Sequence, residues 1–321
     1  MESSRQARRP KSTVPFSPRP CRGDVRRDTV LSSQVSRVPP VKLRDVTTPR
    51  LRHSVAEAGS GEPLMLVHGF TGAKEDFADF LDGFADRGWH VVAPDLRGHG
   101  ASEAPAEEEA YSLEEMADDV LALADTLGWD SFDLLGHSMG GMVAQVLALR
   151  APERLRSLVL MDTGHGPVEG LEPAIVALAV EVVRTEGVDR LIELAAEMGP
   201  IGGERTPSEI RVREERAGYI DFGDRKMRAA APAMYAAMAQ HLPVAEDRLD
   251  ALRTLDVRTL VVVGEEDAGF VGPSERLAEA IPGAVLEVIA DAAHSPQFEN
   301  PDRWWKVVSR FLEAGRPDPE D

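Results

Sequence analysis

Short apolar runs recur along this chain, with amphipathic stretches between them. Val41 to Val46 and Leu51 to Glu57 read as an opening pair of strands. Leu64-Met65-Leu66-Val67, Val91-Val92-Ala93, Phe132 to Leu135, Leu158 to Met161, Thr259 to Val263 and Val285 to Ile289 follow. These later runs are largely apolar, as expected of strands covered on both faces. The intervening segments carry a helical period. Asp76 to Phe84 sets Phe77, Phe80, Leu81 and Phe84 on one face. Ser112 with Glu115 predicts a capping box that opens a helix running to about Leu127. Further helices are predicted after Gly140, after Pro273, and from Asn300-Pro301 through Trp304, Trp305, Val308 and Phe311. The strand rhythm stops between about Gly164 and Arg253, where the pattern is helical throughout. The chain is therefore expected to be α/β, with a mostly parallel sheet flanked by helices. Its core would comprise residues 41–163 and 254–321, with a helical cap, 164–253, inserted after the sixth strand.

Composition bounds this picture. The 321 residues suffice for one large α/β domain with an insertion. Residues 1–40 are rich in Arg, Ser and Pro with no apolar period, and are expected to form a disordered basic extension. Arg8-Arg9 is followed by no apolar stretch of the kind an export signal needs. The net charge of -19 conceals an asymmetry: residues 1–50 carry 12 Lys and Arg against 4 Asp and Glu. An acidic body argues against nucleic acid as the main partner, because phosphates would be repelled. No apolar run is long enough to span a bilayer. The single cysteine, Cys21, suits a reducing compartment, and a cytoplasmic location is expected. No Cys/His cluster has zinc spacing, so neither metal nor organic cofactor is expected. The pattern does not disclose an oligomeric state.

The candidate chemistry lies at strand ends. His68, Asp95, Ser138, Asp162, Asp267 and His294 each follow a predicted strand. In a sheet of this kind, ligands bind beyond the carboxyl ends of the strands. Gly136-His137-Ser138-Met139-Gly140 fits G-x-S-x-G, a sharp strand-to-helix turn that lifts a serine hydroxyl above the sheet edge. A serine needs a base, and the base needs a carboxylate to fix its tautomer. The expected chain order is Ser, acid, His, which Ser138, Asp267 and His294 satisfy. Asp162 is the alternative acid; otherwise it would cap a loop. His68 and His99 sit in glycine turns and are expected to hold loops, as is His137, which is also a pocket candidate. The N–H groups of Phe70 and Met139 are the candidate oxyanion donors.

Taken together, His68-Gly69-Phe70, Asp95-Leu96-Arg97-Gly98-His99-Gly100, the Ser138 turn, Gly264-x-x-Asp267 and His294 resemble the α/β-hydrolase superfamily. The resemblance covers about residue 45 to the C-terminus. It implies an eight-stranded sheet with a helical cap supplied by residues 164–253. Within the superfamily the chain is similar to small bacterial carboxylesterases, enol-lactonases and carbon–carbon bond (meta-cleavage product) hydrolases. His294-Ser295-Pro296-Gln297-Phe298-Glu299-Asn300-Pro301 is similar to the last group, whereas Phe70-Thr71-Gly72-Ala73-Lys74 lacks their glycine- and proline-rich turn. Serine at the elbow argues against the epoxide hydrolase and dehalogenase branches.

The leading expectation is a serine hydrolase acting on a small carboxylic ester or lactone through an acyl-enzyme. Hydrolysis of a carbon–carbon bond in a vinylogous diketone is the alternative within enzymes. A ligand receptor that kept the fold is the alternative outside them, and labelling of Ser138 by a fluorophosphonate would separate it from both. Phe70, His137, Met234, Tyr235 and Met238 are candidates for the pocket wall, with Met198, Met227, Phe222 and His241 as further apolar or polar neighbours.

Overall fold

The computed structural model describes residues 42–198 and 205–316. The expected basic extension, Cys21 and the side chain of Met198 lie outside the described residues.

The elements run β1 (Leu43–Thr47), β2 (Arg52–Ala58), β3 (Glu62–Val67), α1 (Leu81–Asp86), β4 (Trp89–Pro94), α2 (Leu113–Thr126), β5 (Phe132–His137), α3 (Met139–Arg150) and β6 (Leu155–Met161). Then come six helices, α4 (Pro173–Glu186), α5 (Val188–Met198), α6 (Pro207–Glu215), α7 (Tyr219–Arg228), α8 (Pro232–His241) and α9 (Leu249–Leu252). The rest is β7 (Thr259–Gly264), α10 (Ala268–Ala280), β8 (Val285–Ile289), α11 (Pro296–Glu299) and α12 (Pro301–Glu313). No strand interrupts the described residues between β6 and β7, in keeping with the helical pattern there.

One eight-stranded sheet has the order β1-β2-β4-β3-β5-β6-β7-β8. β2 pairs antiparallel with both β1 and β4, and every later pairing is parallel. Alternation along each strand feeds two cores. Met65 and Val67 of β3 enter one with Leu123, Val143 and Leu277; Leu64 and Leu66 enter the other with Phe84, Trp304 and Leu312. This explains the apolar runs of the central strands, whose two faces are both covered; the polar side chains buried there, such as Asp133 and Ser157, bond to one another. Trp304 is fully buried with its ring 4.4 Å from that of Phe80. Truncating such a side chain costs about 3–5 kcal/mol.

Three local expectations need correction. The segment from Asp76 to Phe84 is not one helix but a 3₁₀ segment, Lys74–Phe80, followed by α1. Its first turn is tied by side chains: Ala73 N–H donates to Asp76 and Lys74 N–H to Asp95. The box at Ser112 is half made. Ser112 Oγ accepts Glu115 N–H, but the Glu115 carboxylate turns to Arg50. Finally, α10 begins at Ala268, so Pro273 lies inside the helix instead of starting it.

Candidate active site

β5 ends at His137 and α3 begins at Met139, which leaves Ser138 alone to turn the chain. Ser138 has φ 53° and ψ -119°, a left-handed conformation that a residue with a Cβ adopts only under constraint. The constraint is close packing of backbone. A Cβ on Gly140 would meet the carbonyl oxygens of Val67 and His68 at 2.5 Å, so only glycine lets α3 approach β3.

The three predicted side chains converge. His294 Nε2 is 3.0 Å from Ser138 Oγ, and His294 Nδ1 is 2.8 Å from Asp267 Oδ2. An ionised carboxylate only accepts, so Nδ1 carries the proton and Nε2 is free to accept from the serine hydroxyl. Burial alone would lower the His294 pKa. The hydrogen bond and charge of Asp267, with Glu299 and Glu209 behind it, raise it above the usual value.

The turn after β3 completes the arrangement. His68 Nδ1–H donates to Gly69 O at 2.8 Å, and its Nε2 accepts Leu96 N–H at 3.0 Å. Burial keeps this ring neutral, with its pKa lowered. His99 packs edge-on at 4.8 Å and donates to Arg97 O. Both histidines thus hold loops. Gly69 lies against Ser138: a Cβ there would sit 3.0 Å from Ser138 Cβ. Among the described residues, neither Phe70 N–H nor Met139 N–H donates to an acceptor.

A cavity of about 200 Å³ opens over Ser138 and His294. Phe70, Thr71 and Asp76 line one side, Lys226 of α7 another, and His137, Gln297 and Phe298 the rest. Of the five pocket candidates, Phe70 and His137 are in this wall. His137 Nε2–H donates to His294 O at 2.7 Å, and burial, with the nearby His294 charge, pushes its pKa down to about 3. It is therefore a neutral ring that both lines the cavity and holds the His294 loop. Met234 and Met238 are not in the wall: both are fully buried in the core shared with α2 and α3. Tyr235 reaches the cavity only through Phe70, whose ring it meets at 5.1 Å. Lys226 and Asp76 were not foreseen. Both line the cavity, where they form an ion pair. Glu299 was also missed; its Oε2 accepts the N–H groups of Ala293 and Ser295, on either side of His294.

Asp162 does not touch the imidazole as the orienting acid. Its Oδ1 accepts Gly264 N–H at 2.8 Å, a loop-capping bond. It stands close behind Asp267, however, and polar atoms of Asp162, Asp267 and His294 fall within 4.8 Å of one another. Within this trio His294 Nδ1–H is committed to Asp267.

A family model described as the alpha/beta hydrolase fold matches residues 62–301. The chain belongs to the α/β-hydrolase family. A 2-hydroxymuconate semialdehyde hydrolase from Pseudomonas putida is 30% identical over 277 residues, covering 84% of this chain and 93% of that one. A thermophilic esterase from Thermogutta terrifontis superposes with a TM-score of 0.73 at 30% identity, over 86% of this chain and all of that one. The enol-lactonase from Burkholderia xenovorans shares the fold, with a TM-score of 0.72 at 24% identity over 84% of this α/β hydrolase. Family members of this kind hydrolyse small molecules, and this chain is a hydrolase. No helix among its described residues is long and apolar enough to cross a membrane.

Proposed function

We propose that this α/β hydrolase is a serine esterase cleaving a small carboxylic ester or lactone. The observation that carries the reading is the line from Ser138 Oγ to His294 Nε2 at 3.0 Å and from His294 Nδ1 to Asp267 at 2.8 Å. His294 takes the hydroxyl proton as Ser138 Oγ attacks the carbonyl carbon. The oxyanion accepts the N–H groups of Phe70 and Met139. The imidazolium then hands its proton to the departing alkoxide, leaving an acyl-serine. Water, deprotonated by His294, attacks the acyl carbon, and Ser138 leaves with the returned proton. The 200 Å³ cavity suits a small acyl group rather than a long chain.

Carbon–carbon bond hydrolysis is the second reading. It is supported by the similarity to the Pseudomonas hydrolase over most of both chains and by the His294-to-Pro301 string. One set of assays separates them. Wild-type protein is offered p-nitrophenyl acetate and butyrate, small lactones, and a vinylogous diketone of the 2-hydroxy-6-oxo-dienoate type. Turnover of the esters or lactones, abolished in S138A together with fluorophosphonate labelling, supports the first reading. Turnover of the diketone alone moves the assignment to the second, and a wild-type protein that neither labels nor turns over any substrate removes both.

A further inference from the structure

The mechanism gives Asp162 no task, yet its placement is unusual. It follows β6 with φ 45°, in the left-handed region, and its side chain is fully buried. Oδ1 accepts Gly264 N–H. Oδ2 is buried and meets no donor among the described residues. The Asp162 side chain stands beside the other carboxylate: Asp162, Asp267 and His294 each present a polar atom within 4.8 Å of the others.

Two adjacent carboxylates in such a setting do not both ionise. Asp267 has the stronger claim to the charge. It accepts His294 Nδ1–H, and its side chain keeps some solvent contact. Asp162 has one backbone donor and no solvent. Burial first, and the charge on Asp267 second, raise its pKa well above the ordinary aspartate value. The charged groups facing it are Asp267 from the β7–α10 loop and Glu299 from α11, with His294 beside Asp267. The two acids oppose a second negative charge.

We propose that Asp162 is a neutral carboxylic acid whose Oδ2–H donates to the Asp267 carboxylate, making it a positioning residue at the far end of the Ser138–His294–Asp267 line. This rests on the reading of those three residues as the catalytic line. The donated bond anchors Asp267 between Gly264 and His294. It also draws charge away from Asp267, so the imidazolium is held less tightly than a bare carboxylate would hold it.

The sign of a pH shift tests the protonation state. Asp162→Asn keeps a donor toward Asp267 and an acceptor for Gly264 N–H. If Asp162 is neutral, D162N retains kcat/KM within about threefold, and the acidic inflection of its pH profile stays in place or rises. If Asp162 is instead an anion, D162N removes a charge near His294 and the inflection falls by about one pH unit or more. A fall of more than half a unit, or a folded but inactive D162N, overturns the proposal. The wild-type protein supplies a readout independent of activity. At pH 9, its infrared spectrum should retain a protonated-carboxyl carbonyl band; absence of that band overturns the proposal even if the esterase reading stands. If the band is present while S138A remains fully active, the proton placement stands and the catalytic reading falls.

Discussion

Replacing Glu299 by glutamine should change how the stability of this hydrolase depends on pH. Glu299 is 7% exposed, at the end of α11. Burial raises its pKa, and the N–H groups of Ala293 and Ser295 only partly oppose that, leaving it at about 7 against an ordinary 4.5. The sign follows from linkage. A carboxyl group whose folded pKa is raised binds its proton more tightly folded than unfolded. Its contribution is fully present below about 4.5 and is lost as the pH rises through about 7. The displacement corresponds to about 3 kcal/mol, at 1.36 kcal/mol per pH unit.

Glu299→Gln abolishes this term while keeping a carbonyl oxygen for Ala293 and Ser295. Unfolding of wild type and E299Q is followed side by side at pH 5, 6, 7 and 8. Other titrating groups cancel in the difference. E299Q should gain on wild type by about 3 kcal/mol across that range, a relative Tm shift on the order of 5 °C. A difference that stays flat within about 0.5 kcal/mol would refute the claim that burial raises the Glu299 pKa to about 7. Activity gives a second check. E299A, which removes the acceptor between Ala293 and Ser295, should lower kcat at pH 8 more than E299Q does, because the His294 loop then loses its anchor.

The remaining predictions concern the site itself. With the His294 pKa raised and the neutral imidazole required as base, kcat/KM should climb with pH through an inflection above 6.5; an inflection below 6 would contradict the Asp267 pairing. Asp267→Asn should lower kcat by about 10⁴-fold, measured on whichever substrate the wild type turns over. Gly69→Ala places a Cβ 3.0 Å from Ser138 Cβ and 3.3 Å from His137 O. It should cut kcat by at least about tenfold with little change in Tm, since a displaced nucleophile is costlier to chemistry than to folding. Lys226→Met strands Asp76, which is 3% exposed, and should destabilise by about 2–4 kcal/mol; the double variant K226M/D76N should recover most of that in a thermal-unfolding comparison.

What the chain disclosed in advance follows from the range over which each feature is encoded. The elbow is local: Gly136, Ser138 and Gly140 lie within five positions, and the backbone contacts that demand glycine come from the start of α3 at Gly136 and from the end of β3 at Gly140. The proposed catalytic line spans 156 positions from Ser138 to His294, yet each member follows a strand of one mostly parallel sheet. Strand ends gather at one edge, so a polar residue after each apolar run was enough to bring the three together. The Lys226–Asp76 pair has no such signal. Its partners lie 150 positions apart, and Lys226 sits in α7 among Arg225 and Arg228, in a basic run with no distinguishing period.

The methionine candidates failed for a different reason, and it bears on specificity. α8 reads Pro-Ala-Met-Tyr-Ala-Ala-Met-Ala and is apolar almost all round, so its period does not say which side meets the cavity. Met234 and Met238 are four apart and share a face; Tyr235 lies about 100° further round. The first face is turned to the core, where Met234 packs beside Gly98 and Tyr111. The adjacent direction carries Tyr235 onto Phe70, the residue whose N–H is the proposed oxyanion donor. One residue of the β3 turn therefore links the pocket wall to the proposed oxyanion donor, and α8 acts on the site through it. A change at Tyr235 should for that reason alter kcat as well as KM, whereas a volume-conserving Met238→Leu change should alter stability and leave both constants nearly untouched.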